Sequence, residues 1–579
     1  MIVLGLNLTH GDSSACIIKD GKILSAAEEE RFTRIKHSSQ FPFNAINFCL
    51  KSNNVEIKDV NYITLNSKFS YNLFHKAFFF LKNFSTSFFF KKRAEIIFDK
   101  KKIIKKISDY FNSSIDAKLI FVPHHLAHAY STLFFLEDNK NDKSFIFSFD
   151  GSGDFSTMEF FLIKNDTVKL IKKNIFPHSL GLFYTAFKQL VGFNNYGDEY
   201  KFMGLAGFGK PTYYDQLKKI IISIDPFKLD MSYFNLPIID YSNNFPQINK
   251  IYSDKLENIF FQKEKVFERD YNLQICKDIA CSVQKIFEET VIYLLNNLKE
   301  KYKVERVYLT GGCSFNSSLI GKLVDSNMFK NIYLGPNPGD AGGAIGSAFY
   351  FCKKKKIKIF GEQSINFSGP AFSNEEINKQ VISKISNNNE YKIIYFDNFD
   401  NLSKKAAELI KLESIIFWFQ DHMEWGPRAL GNRSILADPS KKKIKDFINV
   451  NVKKRELFRP FAVSILEQFA HETFWMNGHL SPNMNIVFET RDHIKRMFPE
   501  IVHIDGTTRV QTVNEKDNKK FYNLLKDFYK ITKSPMLINT SMNIDAPIVL
   551  TPKQAWDTFC QTSVKSIVLN NWLIQRINN

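Results

Sequence analysis

The chain has 579 residues, too many for one hydrophobic core, so two or more large domains are expected. Apolar residues make up 44% and charged residues 24%, the balance of a soluble globular protein. A net charge of +18 permits nucleic acid, an anionic membrane surface or phosphorylated substrates as partners, but diffuse lysine such as Lys353 to Lys356 supplies much of it and selects none of them.

Seven cysteines (Cys16, Cys49, Cys276, Cys281, Cys313, Cys352 and Cys560) lie apart with no CxxC spacing. That speaks against a disulfide framework or a zinc ribbon and fits a reducing, cytoplasmic setting. The N-terminus, MIVLGLNLTHGDSS, lacks the basic segment, apolar run and cleavage site of a signal peptide. The Phe-rich stretch 75–93 is broken by Lys76, Lys82 and Asn83 and cannot span a bilayer. It reads as an insertion packed on its own domain, with an amphipathic surface element as the alternative.

In chain order, IVLGLNL is an apolar strand, HGDSSA a polar turn, and CIIKDGKILSAA a hairpin with Asp20-Gly21 at its tip. A second copy follows: SFIFSFD ends at Asp150, GSGDFST is the turn, and MEFFLIKNDTVKLIKK is a hairpin around Asn165-Asp166. A repeated hairpin unit with an acidic, glycine-rich first turn is the plan of the actin, hexokinase and Hsp70 folds. Such turns face backbone N–H groups toward an anion, and the aspartate holds a metal or a water. Between the copies, 40–135 is mostly helical and ends in HHLAHAYSTLFF. There His124 and His128 share one helix face and offer two imidazoles to one metal ion, while His125 points elsewhere. The same spacing also suits an ordinary hydrogen-bonding pair.

SLGLFYTAFKQLVGF is a capped helix running into the glycine-rich NNYGDEYKFMGLAGFGKP. Residues 212–270 read as an insertion, and a long amphipathic helix is expected at about 273–301. RVYLTGGCSFNSSLIGKL and NIYLGPNPGDAGGAIGSAFYF each read as strand, glycine pair and helix. Gly311-Gly312 and Gly342-Gly343, the latter just after Asp340, either admit a nucleotide or make tight turns. The first domain is expected at 1–352, a linker at 353–372, and a second domain at 373–579, opened by the capping box Ser373–Glu376.

In the second domain WGPRALGNRSILADPS carries Arg428 and Arg433, and NVKKRELFRPFAVSI carries Lys453, Arg455 and Arg459. HIDGTTRVQTV adds Arg509, and INTSMN adds Ser541 and Asn543. Guanidinium groups in glycine- and proline-rich loops fit bidentate binding of phosphate or carboxylate. One or two of them, Arg455 first, are expected to pair with Glu424, Glu456, Asp438 or Asp505 as structure.

The order HGDSSA, AAEEERFTRIKH, HHLAHA, FDGSGD, GDEYKFMGLAGFG, TGGCSFN, GDAGGAIG, GPRALGNRSILADP, KKRELFRPFA, HIDGTTRVQTV and LINTSMN closely resembles the NodU-type O-carbamoyltransferase family. The resemblance implies an α/β architecture: a duplicated actin/hexokinase/Hsp70-like domain, then an α+β, YrdC-like domain. It implies that the second domain forms a carbamoyl-adenylate from carbamoyl phosphate and ATP, and that the first transfers the carbamoyl group to a hydroxyl of a small-molecule acceptor such as a sugar, glycan precursor or natural product. His124, His128, Asp150 and Asp340 would hold one divalent metal, iron first, with manganese or zinc as alternatives. Gly151, Gly311, Gly312, Asn316, Gly342 and Gly343 would border the nucleotide. Arg428, Arg433, Lys453, Arg459, Arg509, Ser541 and Asn543 would bind carbamoyl phosphate and the adenylate, with Arg428 and Arg459 in catalysis. His10 or Asp12 would be the general base. The resemblance allows a homodimer and calls for no nucleic acid. A tRNA-modifying, threonylcarbamoyl-type enzyme or an RNA-binding protein is the rival, although no RNA-binding signature is present.

Overall fold

The computed structural model describes every residue except 9, 83–99, 134–142, 166, 262–269, 361–364 and 578–579. The chain forms two compact units, Met1–Gln363 and Ser364–Asn579.

In the first unit β1 (Ile2–Asn7), β2 (Ser14–Lys19) and β3 (Lys22–Glu28) form an antiparallel meander. β4 (Tyr62–Leu65) and β5 (Lys118–Phe121) continue the sheet in parallel on the other side of β1, giving the order β3-β2-β1-β4-β5. The plan then repeats. β6 (Ser144–Gly153), β7 (Ser156–Lys164) and β8 (Thr167–Ile175) form the meander, and β9 (Arg306–Thr310) and β10 (Asn331–Leu334) extend it in parallel, in the order β8-β7-β6-β9-β10. This duplicated 3-2-1-4-5 order is the actin/hexokinase/Hsp70 topology expected from the repeated hairpin units. The central strands are apolar on both faces because both faces are covered. A Cβ at Gly5 of β1 would lie 2.2 Å from the Ala344 carbonyl oxygen, so a helix packs directly on the strand backbone. The first hairpin turns at Asp20 and Gly21, both at positive φ, as its two-residue loop requires.

The helices of this unit include α1 (His124–Ser131), α2 (Leu180–Leu190), α3 (Gln274–Tyr302), α4 (Ser317–Asp325) and α5 (Gly342–Lys354). The Ser179 hydroxyl caps α2 by accepting the Leu182 N–H at 3.1 Å. The helix Leu73–Lys82 packs Phe79 against Phe155 and Phe176 and leaves Leu73, Phe74, Phe78 and Leu81 exposed. The rest of the Phe-rich segment, 83–93, lies outside the described residues. Among the described residues no helix is long and apolar enough to cross a membrane.

The second unit is built on one mixed, ten-stranded sheet. Its strands are β11 (Tyr391–Tyr395), β12 (Ile415–Phe419), β13 (Arg433–Ala437), β14 (Ala462–Leu466), β15 (Phe474–Trp475), β16 (Ile486–Thr490), β17 (Thr507–Val513), β18 (Met536–Ser541), β19 (Ser566–Leu569) and β20 (Trp572–Arg576). They are ordered β11-β20-β19-β12-β13-β18-β14-β17-β16-β15. The Ser373–Glu376 capping box forms as predicted. Two helices, α6 (Phe399–Glu413) and α7 (Lys519–Thr532), share one core with the sheet through Leu402, Ile410, Trp418, Leu436, Leu525 and Leu537. The covered face changes character along three adjacent strands. β14 runs from Leu466 through Ser464 to Ala462, β17 from Val513 through Gln511 to Arg509, and β18 from Leu537 through Asn539 to Ser541. Apolar side chains sit beneath the helices, and polar ones follow toward one end of the strands.

Candidate active site

Two imidazoles and two carboxylates converge in the first unit. His124 and His128 are buried, with their Nε2 atoms 3.1 Å apart. Asp150 Oδ2 lies 3.8 Å from His124 Nε2 and 3.4 Å from His128 Nε2, and Asp340 Oδ1 lies 3.4 and 3.3 Å from the same two atoms. One ligand atom from each residue falls within 4.8 Å of all the others, a ring sized for one ion. Asp340 Oδ1 is buried with no hydrogen-bond partner, as a metal-directed oxygen would be. The mixed N/O donor set, with no thiol in it, fits iron(II), manganese or zinc.

Each ligand is held by its element. Asp150 accepts the Gly151 N–H at 2.6 Å through Oδ1 and the Gly312 N–H at 3.0 Å through Oδ2. α5 crosses α1 where a Cβ at Gly346 would stand 1.8 Å from the Ala127 carbonyl oxygen, and this close crossing carries Asp340 to the histidines. A Cβ at Gly153 would lie 2.0 Å from the His124 ring. His125 turns away and pairs its Nδ1 with the Ser148 hydroxyl at 2.7 Å. Burial disfavours charge on His128, but the neighbouring carboxylates of Asp150 and Asp340 outweigh it and hold its pKa up to about 9. Burial, and then Asp150, push the Asp340 carboxyl up.

His10 stands beside the ring, 5% exposed, with its own ring centre 5.1 Å from that of His124 and its Nδ1 3.9 Å from Asp340 Oδ2. The Asn7 side chain ties down its turn by donating to the carbonyls of Gly11 at 3.1 Å and Asp12 at 2.8 Å. Asp12 is engaged elsewhere: its Oδ1 lies 2.8 Å from His37 Nδ1. The His37 N–H donates to Glu30 at 2.8 Å, and its ring meets Tyr196 edge-on at 5.4 Å. A Cβ at Gly197 would lie 2.1 Å from His37 Nε2. The AAEEERFTRIKH and GDEYK motifs therefore meet at the HGD turn. Neither His37 nor Asp154 was a predicted site residue; the position of His37 at the end of a dense motif and that of Asp154 in the second acidic turn were the available signals.

The predicted nucleotide residues divide. Gly311 holds φ at +89°, and a Cβ there would lie 2.2 Å from the Phe149 carbonyl oxygen, so only glycine fits. Gly151 and Gly312 spend their N–H groups on Asp150. Asn316 caps α4 through the Leu319 N–H at 3.0 Å and pairs with Gln284 at 2.9 and 3.0 Å. Gly342 and Gly343 are buried, with N–H groups donated to the carbonyls of Gly339 and Asp340 at 3.0 and 2.9 Å. This pair packs closely at the helix start, in the tight turn that the sequence reading set beside a nucleotide-admitting one.

In the second unit the GPRALGN loop is fastened from below. Glu424 Oε1 accepts the N–H groups of Leu430, Asn432 and Arg433 at 2.8, 2.8 and 3.0 Å. Gln511 donates to the Leu430 carbonyl at 3.0 Å and Asn539 to that of Ala429 at 3.1 Å. Arg509 is half-buried near Arg428 and Arg455, and burial followed by these two like charges depresses its pKa. Such a cluster is stabilised by an anion. Lys453 Nζ donates to the carbonyls of Ser541 and Asn543 at 2.7 and 2.8 Å and to Asn543 Oδ1 at 2.5 Å, which joins three predicted residues. Arg459 pairs with Glu456 at 2.6 Å, and Arg455 donates to Asn449 at 2.8 Å.

Arg433 corrects the sequence expectation. It is fully buried, stacked 3.6 Å from the centre of the Phe419 ring, and its guanidinium donates to the carbonyls of Pro370, Gln420, Asp421 and Asn432. A carbonyl cage of this kind is structural, and it consumes donors that an anion would need.

Comparison with known proteins covers most of the chain. Residues 2–349 match the family described as Carbamoyltransferase N-terminus, and residues 407–576 match Carbamoyltransferase C-terminus. An uncharacterized protein of Synechocystis sp. is 31% identical, with 99% of this chain and 96% of that protein covered. The nodulation protein NolNO of Sinorhizobium fredii is 31% identical over 98% of this chain and 79% of its own length. The nodulation protein NolO of Bradyrhizobium diazoefficiens is 32% identical over 78% of each. The chain belongs to the carbamoyltransferase family and is an enzyme of carbamoyl transfer.

Proposed function

We propose that the enzyme is an ATP-dependent O-carbamoyltransferase that works in two half-reactions. The second unit takes carbamoyl phosphate, water and ATP: hydrolysis of carbamoyl phosphate gives carbamate and phosphate, and a carbamate oxygen then attacks the α-phosphorus of ATP, displacing pyrophosphate and leaving a carbamoyl-adenylate. The first unit passes the carbamoyl group to a hydroxyl of a small-molecule acceptor, and AMP departs. The observation that carries this reading is the crowding of Arg509 by Arg428 and Arg455 on a sheet end that also holds Lys453, Ser541 and Asn543. A cluster of that charge, preorganised on strands and a fastened loop, suits phosphate oxygens and the charge developing on a leaving phosphate.

In the first unit His124, His128, Asp150 and Asp340 would hold one divalent ion, iron foremost by the donor set. When bound, the ion supplies Lewis acidity toward the adenylate phosphate. His10 takes the acceptor hydroxyl proton as the general base. It borders the ligand ring, whereas Asp12 is committed to His37. The acceptor is a sugar, glycan precursor or natural product, and the work is cytoplasmic.

The test is product analysis. Metal-replete enzyme given carbamoyl phosphate, ATP and a panel of hydroxyl acceptors should form AMP and pyrophosphate, and Arg509→Met should lose both. ADP as the sole nucleotide product would instead indicate kinase chemistry. Salt-dependent binding of tRNA with threonylcarbamoylation would establish the RNA rival.

A further inference from the structure

Asn539 is 1% exposed and points its carboxamide into the polar end of the sheet. Its Nδ2 donates to the Ala429 carbonyl at 3.1 Å, to the Ser464 hydroxyl at 2.9 Å and to Gln511 Oε1 at 3.2 Å. A main-chain carbonyl only accepts, so the Ala429 contact fixes which end of the amide is nitrogen. Ser464 and Gln511 lie one step back along the strands, toward the helices. Ser541, two residues further along the strand, is the next residue on the same face. The amide oxygen of Asn539 is buried and has no hydrogen-bond partner. A buried acceptor left unmade is costly and marks a place for a donor.

The chemistry around it narrows the donor. Arg428 and Arg509 supply guanidinium donors, which phosphate oxygens satisfy, while Lys453 spends its own on Ser541 and Asn543. A lone carboxamide oxygen gives a phosphate dianion nothing to bind and repels it slightly. Carbamoyl phosphate carries one donor group, its amino group. Acetyl phosphate presents a methyl in the same place, and inorganic phosphate has no group beyond its own oxygens to reach there.

We infer that Asn539 is the specificity-determining residue of this site: its side-chain oxygen accepts an N–H of the carbamoyl amino group and so selects carbamoyl phosphate over acetyl phosphate and inorganic phosphate. This rests on the reading that the arginine-rich sheet end binds carbamoyl phosphate. The Ser464–Gln511–Asn539 network holds the oxygen in place, with Ser464 Oγ donating to Gln511 Oε1 at 2.5 Å.

Calorimetric titration of the full chain with carbamoyl phosphate, acetyl phosphate and inorganic phosphate tests the assignment. The wild type should prefer carbamoyl phosphate to acetyl phosphate by roughly tenfold or more. Asn539→Leu should erase that preference while inorganic phosphate affinity changes by no more than about twofold. Ser464→Ala, which loosens the network but keeps the oxygen, should shift all three ligands alike. If Asn539→Leu weakens carbamoyl phosphate and inorganic phosphate by the same factor, Asn539 only fastens the loop and the inference falls. It also falls if the wild type binds acetyl phosphate equally well. Should Asn539→Leu fail to fold, Asn539→Asp retains an acceptor: the carbamoyl preference must survive in it, and its loss overturns the assignment. A wild type that binds none of the three overturns the underlying function instead.

Discussion

Asp154 accepts the main-chain N–H of His124 at 2.8 Å, so the turn between β6 and β7 caps the metal-ligand helix of the other half of the repeat. Pro123 precedes the helix and has no side chain able to do this. The same carboxylate accepts the Lys68 N–H at 2.8 Å and the Ser67 hydroxyl at 3.0 Å. Asp154→Ala should cost about 1–2 kcal/mol of stability, the usual worth of a cap. It should also weaken divalent-ion affinity by roughly tenfold, because a support of the ligand helix is lost. Thermal unfolding and competition with a metal indicator measure the two effects, and unchanged affinity would reduce Asp154 to a cap alone.

The ligand ring draws on both halves of the repeat: α1 follows β5, Asp150 ends the apolar run of β6, and Asp340 follows β10. Binding an ion at a hundredfold excess over Kd should add about 2.7 kcal/mol to stability. Dialysis against a chelator should lower Tm and re-addition of iron(II) or manganese should restore it. His124→Ala should abolish this response and the release of AMP while pyrophosphate formation by the second unit persists. A Tm indifferent to chelation would remove the metal assignment.

Burial alone would lower the His37 pKa, but Asp12, followed by Glu30 and Glu199, reverses this and lifts it to about 9. An unfolded imidazole titrates near 6.5. The stabilisation from this pair is therefore complete below about pH 6.5 and is lost as pH rises through about 9. With both side chains about a third exposed, the pair is worth about 1 kcal/mol after screening. His37→Asn keeps a donor to Asp12 without the charge, so the Tm gap between wild type and variant should shrink between pH 6.5 and 9. A gap that stays constant with pH would mean the pair acts as a neutral hydrogen bond.

Arg433→Met would leave the carbonyls of Pro370, Gln420, Asp421 and Asn432 without their buried donor. Loss of about 3–5 kcal/mol is expected. Arg433→Lys should rescue little of it, because an ammonium lacks the planar fork. Urea unfolding reports this directly. If Arg433→Met instead folds like the wild type and only loses anion binding, the arginine belongs to the site after all.

Much of this was legible in the residues. The hairpin tips, the Ser179 and Ser373 caps and the long helix at Gln274–Tyr302 follow from local rules that tertiary context did not override. His124 and His128 stood out by their spacing, and Asp150 and Asp340 joined them only through the family resemblance; the structure brings the four side chains together. Arg433 did not, because its sequence neighbours match those of Arg428. What separates them is strand parity and depth, with Arg433 fully inside and Arg428 on the loop above. His37 was opaque for another reason: its partners Asp12, Glu30 and Tyr196 come from three separate segments. Asn539 looked like an ordinary strand residue, since an unpaired oxygen is visible only once its three nitrogen contacts are known.

The order in which the ring's members leave the ribosome has a consequence for the living cell. His124 and His128 are made first, Asp150 soon after, and Asp340 only about two hundred residues later. At ordinary translation speeds that interval lasts roughly 10–40 s. During it the nascent chain holds only three of the four ring residues. Only the arrival of α5, pressed against α1 at Gly346, brings the fourth to them, so the ring is a late product of the first unit's synthesis.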